Sequence, residues 1–183
     1  MPIHALSTAD YRVVRWKNGG GWTTDIALSG PEPYRWRASR AEVETDGPFS
    51  DFSGYDRFLV LLEGRGFRLQ FPNGTQTVDR PLQKIEFRGE DSILCALIDG
   101  TSTDFNWVVA REYFEGSLSI LSAGESAHAV VAYAVGDCVI GVEGETVELS
   151  AGEALRSDEG ATFLLIAGGP LLACDAVPQP VAQ

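Results

Sequence analysis

The chain is poor in the residues that most often announce chemistry. Its 183 residues include only two histidines (His4 and His128), three cysteines (Cys95, Cys138 and Cys174), two lysines (Lys17 and Lys84) and one methionine. Three cysteines without CxxC spacing argue against both a paired disulfide framework and a thiolate metal knuckle. They are expected as small buried hydrophobes in a reducing compartment. The histidines stand in unrelated contexts, so the imidazole cluster that a transition metal favours is missing. Neither has a patterned Ser or Cys nearby, and GxSxG does not occur. No metal and no cofactor are expected. Basic residues are also outnumbered, 14 against 26 acidic, which gives a net charge of −12 and a pI near 4.5. Such a surface repels phosphate backbones and anionic membrane faces, so neither nucleic acid nor membrane is expected as a partner. The longest apolar runs, such as residues 163–167, are far too short to span a bilayer. Residues 1–11 lack an apolar segment between a basic start and a cleavage site, so a signal peptide is not expected and the cytoplasm is the expected location.

What is present is β-structure. Twenty glycines and nine prolines imply many turns. Residues 23–29 (TTDIALS) and 34–43 (YRWRASRAEV) alternate apolar and polar side chains, as half-buried strands do. Gly30-Pro31-Glu32-Pro33, Asp46-Gly47-Pro48 and Asn73-Gly74 carry turn chemistry, and residues 51–56 read as a loop. No window longer than about ten residues sustains a period of 3.6, so any helix is short.

The most informative pattern is an internal repeat. Residues 58–71 (FLVLLEGRGFRLQF) form strand, glycine-bearing turn and strand, and residues 130–142 (VVAYAVGDCVIGV) do the same. Each is followed by a matching second unit, residues 81–100 and 150–169. In both units a short strand ends at an arginine (Arg88, Arg156), an acidic glycine turn follows, and an apolar strand completes the unit. Two copies of one β module at a fixed offset predict an all-β double cupin, two jelly-roll barrels packed together. The expected division is residues 1–110, residues 111–175 and a flexible tail at 176–183. Residues 104–107 (DFNW) read as a corner joining the copies, with Asp104 and Asn106 bonding the local backbone.

Three segments carry candidate chemistry. In residues 16–23 (WKNGGGWT), Lys17 stands between Trp16 and Asn18, and the glycines behind them allow close backbone approach to a ligand. The competing reading is a loop whose tryptophans cap the core. Along residues 36–43, period two places Trp36, Ala38, Arg40 and Glu42 on one face, and Arg37, Ser39 and Ala41 on the other. Arg40 and Glu42 fit a solvated ion pair as well as the lining of a barrel mouth. Arg57 suits a bidentate grip on a carboxylate and equally suits a structural pair with Asp56 or Asp46.

Taken in order, WKNGGGWT (16–23), WRASRAEVETDGPFSDFSGYDR (36–57), LLEG (61–64), FRGE (87–90) and DFN (104–106) resemble the HutD/Ves family across residues 5–170. The resemblance implies a double-cupin fold, in agreement with the repeat. It associates the chain with bacterial histidine-utilisation operons or, on the Ves side, with environmental stress responses. It implies a ligand-binding regulator with candidate ligands such as formylglutamate or urocanate, and it attaches no firm enzymatic activity. The implied pocket residues are Trp16, Lys17, Asn18, Arg40, Glu42, Phe49, Ser50 and Arg57, to which the strand pattern adds Trp36.

Three functions compete at this point. The first is a small-molecule-binding regulatory protein. In it Lys17 with Arg57, or Arg40, holds an anionic metabolite and Trp16 or Trp36 supplies an apolar wall. The second is a metal-independent enzyme with Glu42 as general base. The third is a protein-interaction scaffold. A homodimer through barrel edges is compatible with each.

Overall fold

The computed structural model describes residues 2–180, in which all regular structure is β apart from one 3-10 turn at Thr8–Asp10. After β1 (Ile3–Leu6) the first half of the chain forms β2 (Arg12–Arg15), β3 (Gly21–Leu28), β4 (Trp36–Val43), β5 (Gly47–Pro48), β6 (Tyr55–Glu63), β7 (Phe67–Phe71), β8 (Gly74–Val78), β9 (Lys84–Arg88), β10 (Leu94–Leu97) and β11 (Ser102–Ala110). The second half forms β12 (Phe114–Leu121), β13 (Ser126–Ala134), β14 (Cys138–Val142), β15 (Glu145–Leu149), β16 (Ala154–Gly168) and β17 (Leu171–Pro178).

The first module is a six-stranded sheet, β2-β3-β4-β11-β6-β9, facing a four-stranded one, β5-β10-β7-β8. The second runs β12-β17-β13-β16-β14-β15. The repeat is explicit in the pairing. β11 lies between β4 and β6 as β17 lies between β12 and β13, while β7 pairs with β8 and β10 as β14 pairs with β15 and β16. The double-cupin architecture follows. The copies differ where residues 89–93 interrupt the first one into β9 and β10. The second copy continues through the same point as the single strand β16, whose register against β13 shifts between Ala129 and Val131.

Three sequence expectations change. β1 crosses to the second module, where Ile3–Leu6 pairs with residues 154–157, so the chain's first residues do not belong to the barrel that follows them. Residues 176–178 continue β17 against residues 114–116, and Ala176 is buried among apolar neighbours rather than frayed. Residues 179–180 follow outside any strand, and residues 181–183 of the expected tail lie outside the described residues. Residues 104–107 are not a corner. They occupy the middle of β11, a strand buried along its whole length, because alternation gives each of its faces something to cover.

The apolar side chains gather into three clusters. Trp36, Phe58, Phe105 and Trp107 of the first module pack against Leu118, Tyr133, Leu172 and Cys174 of the second, welding the modules together. Ile140, Leu155, Phe163, Leu165 and Leu171 fill the second barrel. In the first barrel Leu59, Leu61, Phe67, Leu69, Val78 and Ile93 fill one end only. The other end is hollow. Among the described residues no helix is long and apolar enough to cross a membrane.

Candidate ligand-binding site

The hollow end of the first barrel is a cavity of about 870 Å³. Its floor comes from the inward faces of the six-stranded sheet: Ser39 and Arg37 of β4, Arg57 and Leu59 of β6, and Asp104, Asn106 and Val108 of β11. Its rim comes from residues 15–18, the turn at 30–34 and the segment 48–52. Five cations line it (Arg12, Arg15, Lys17, Arg37 and Arg57) against three carboxyls (Asp25, Glu32 and Asp104). In a protein of net charge −12 this is a local reversal of sign.

Arg57 is the central side chain. It is 7% exposed, and the Phe49, Phe52 and Phe87 rings stand 5.4, 4.9 and 4.9 Å from its guanidinium carbon. Its Nη2 donates to Asn106 Oδ1 at 3.0 Å, and its Nη1 reaches the Ser50 carbonyl only at 3.4 Å. Its Nε is buried without a hydrogen-bond partner. Neither expected acidic partner, Asp46 or Asp56, takes this arginine. Asp56 accepts from Arg111 and Asp46 from the Leu97 amide. Burial lowers the Arg57 pKa to about 10, partly offset by the Asp104 carboxyl, so the guanidinium stays charged at neutrality.

Behind Arg57 the amide of Asn106 turns its Nδ2 to Asp104, which accepts the hydrogen bond. Asp104 is 1% exposed, and burial pushes its carboxyl up to about 7 against the opposing pull of Arg57 and the Asn106 bond. Arg37 is neutralised within the wall by Asp25, to which its Nε donates at 2.8 Å.

The six candidates Trp16, Lys17, Asn18, Phe49, Ser50 and Arg57 all line this cavity. The loop of residues 16–21 is fixed from inside. Trp16 Nε1 donates to Thr23 Oγ1 at 2.7 Å, and Asn18 Oδ1 accepts from the Gly20 amide at 2.9 Å. Gly21 is required because a Cβ there would lie 2.3 Å from the Glu42 carbonyl oxygen and 3.1 Å from the Trp16 ring. Lys17 is exposed at the rim.

Trp36, Arg40 and Glu42 are not brought into the cavity. They share the other face of β4. Trp36 is buried between the modules with Trp107 at 5.4 Å, and Arg156 lies over its ring. Arg40 lies beside Tyr133 of the second module. The cavity instead takes Arg37, Ser39 and Ala41 from this strand. Alternation separated the two faces correctly, but Trp36 seeks the larger apolar core, and that turns the face of Arg37, Ser39 and Ala41 inward. Asp104, Asn106, Asp25 and Tyr34 are further wall residues that sequence reasoning missed. The DFNW alternation on β11 was the available signal for the first two.

A metal at this position, as many cupins carry, would need imidazole donors. The lining contains no histidine, Asp25 is held by Arg37 and Asp104 is engaged by Asn106, so the residues present do not fit one. Elsewhere, His128 Nδ1 lies 3.0 Å from Asp175 Oδ2 on the second module. No group of three potential ligands forms among the described residues.

The HutD family model matches residues 8–173. An uncharacterised 21.2 kDa protein in the hutC 3′ region of Pseudomonas putida is 34% identical over 119 residues, 63% of this chain and 63% of that one. A Ves protein of Escherichia fergusonii is 36% identical over 94 residues, covering 50% of this chain and 49% of its own. The matched stretches thus span less than two thirds of these curated relatives. Among solved structures, a conserved protein of unknown function from Pseudomonas aeruginosa PAO1 is 28% identical with a TM-score of 0.88, covering 97% of this chain and all of its own. HutD from Pseudomonas fluorescens SBW25, in a formate condition, is 26% identical with a TM-score of 0.84 and covers 98% of this chain and all of its own.

Proposed function

The chain belongs to the HutD family, and on that footing we propose that it is a small-molecule-binding regulatory protein whose first barrel encloses a carboxylate metabolite. The observation that carries the reading is Arg57, a buried, charged and under-bonded guanidinium in the floor of a cavity of about 870 Å³. Buried donors left without partners cost roughly 1–3 kcal/mol each, more when charged, and a ligand carboxylate on the guanidinium recovers that cost. The Phe49, Phe52 and Phe87 rings exclude water around the contact and so strengthen it. Trp16 and Phe49 supply apolar wall, while Arg12 and Lys17 draw anions to the mouth, Arg15 being paired with Glu44.

Anionic intermediates of histidine utilisation, formylglutamate and urocanate, are the ligands we assign to the site, with occupancy altering flux or expression. The hutC-region relative and the HutD structure in formate support this choice. The enzyme reading that used Glu42 as base loses its support, since Glu42 does not line the cavity.

Thermal melting against urocanate, formylglutamate, formate, histidine and glutamate tests the proposal. A ligand at a hundred times its Kd adds about 2.7 kcal/mol of stability. A shift with a carboxylate that disappears in Arg57→Met is the expected result. No shift with any compound leaves the barrel a scaffold and overturns the reading.

A further inference from the structure

We propose that the first barrel takes up its carboxylate together with one proton, which Asp104 holds while Arg57 holds the anion. This rests on the binding reading above and names its regulation.

Asp104 and Asn106 point from the same face of β11 into the cavity wall, and Arg57 reaches them from neighbouring β6. One side-chain amide serves both charged groups: its oxygen accepts from Arg57 and its nitrogen donates to Asp104. All three side chains are buried. With Asp104 ionised, the wall is already balanced, one cation against one anion. A ligand carboxylate arriving at Arg57 then sets two negative charges around one positive charge in a water-poor wall, where unbalanced charge is expensive. With Asp104 protonated, Arg57 is the uncompensated charge and the ligand restores balance. Ligand and proton therefore favour each other, and the coupling is reciprocal.

The surrounding groups leave Asp104 in this role. β4 contributes Ser39 and Arg37, the latter engaged by Asp25 of β3. β10 contributes Cys95, whose thiol is pushed up to about 12 by burial, with Asp104 and Asp46 adding to the effect, so it stays neutral. Arg57, lowered only to about 10, stays charged. Burial brings the Asp104 carboxyl to about 7, within reach of ordinary changes in pH.

Isothermal titration of formate and formylglutamate tests the coupling, because both ligands are fully ionised above about pH 6 and contribute no proton of their own. Titrations in two buffers of different ionisation enthalpy count the protons exchanged. The expected result is uptake of close to one proton per ligand at about pH 8. The Kd there should be about tenfold weaker than at about pH 6, since only the protonated fraction is competent. Asp104→Asn should bind without proton uptake and hold its affinity constant across that range. If that variant does not fold, the proton count on the wild-type protein decides alone. Binding with no proton exchange and no pH dependence overturns the proposal and leaves the binding reading standing. No binding at either pH overturns both.

Discussion

Arg57 and Asp104 are both withdrawn from water, and each leaves part of the other's requirement unmet, which makes their energetics separable by mutation. Asp104 sits above its ordinary carboxylate pKa, at about 7. Between about pH 4 and that value the folded state therefore holds a proton that the unfolded chain has released. Stability accordingly falls as pH rises through that window, and the full cost, on the order of a few kcal/mol, is present above it. Asp104→Asn, which keeps the acceptor for Asn106, should melt higher than the wild type at pH 8, with the gap narrowing towards pH 5. Melting curves of the two proteins across that range check the sign, and a gap independent of pH contradicts it. Lys17 belongs to a different regime. Exposed at the rim, it should steer encounter more than hold the ligand. Lys17→Met is expected to weaken binding only about three- to tenfold, mainly through the association rate and with a flatter salt dependence. Stopped-flow kinetics at two ionic strengths separates that from a loss in dissociation rate.

Among the elements, β4, β11 and the loop of residues 16–21 decide the site, and they were unequally legible. The loop was readable because its signals are local: a rare lysine, two tryptophans and three glycines within eight residues. Arg57 was readable beside the same kind of turn signals, whereas Phe49 and Ser50 came only from the resemblance to the HutD/Ves family. On β4, alternation told which residues share a face but not which face meets the cavity. Only the partner elements settle that, and the inter-module core around Trp107 lies about seventy residues away in sequence. β11 was misread because Asp and Asn are strong turn formers in isolation. In the strand their polarity is what the cavity wall uses. Gly21 tests the loop directly. Gly21→Ala drives a Cβ to 2.3 Å from a backbone oxygen, so the loop must move away from β4. It should lose about 1–3 kcal/mol of stability together with ligand binding, as denaturant unfolding and titration of the same sample would show.

For the whole molecule, duplication supplies two barrels and the sequence spends them differently. The first presents Asp104 and Asn106 to its interior. The corresponding strand of the second, β17, presents Leu171 and Ala173 and is filled. In the sequence, both copies share the hairpin pattern while the Trp, Lys and Arg cluster occurs in one. The crossing of β1 was not, since a four-residue strand carries no record of its partner. The shared core makes the modules interdependent. Trp107→Ala empties a fully buried site and frees the Asp175 carbonyl that its Nε1 bonds, for an expected loss of about 3–5 kcal/mol. Both modules should still unfold in one transition, with circular dichroism and tryptophan fluorescence coinciding. Two separated transitions would show the modules to be independent.

The central claim is that a carboxylate seats on Arg57. Calorimetric titration of formylglutamate into the wild-type protein and into Arg57→Met at pH 6 tests it most directly. Saturable one-to-one binding is expected in the wild type. In the variant, affinity should fall by roughly a hundredfold or more, the consequence of removing a buried charge partner, with the β-sheet spectrum retained. Equal affinity in the two proteins would contradict it.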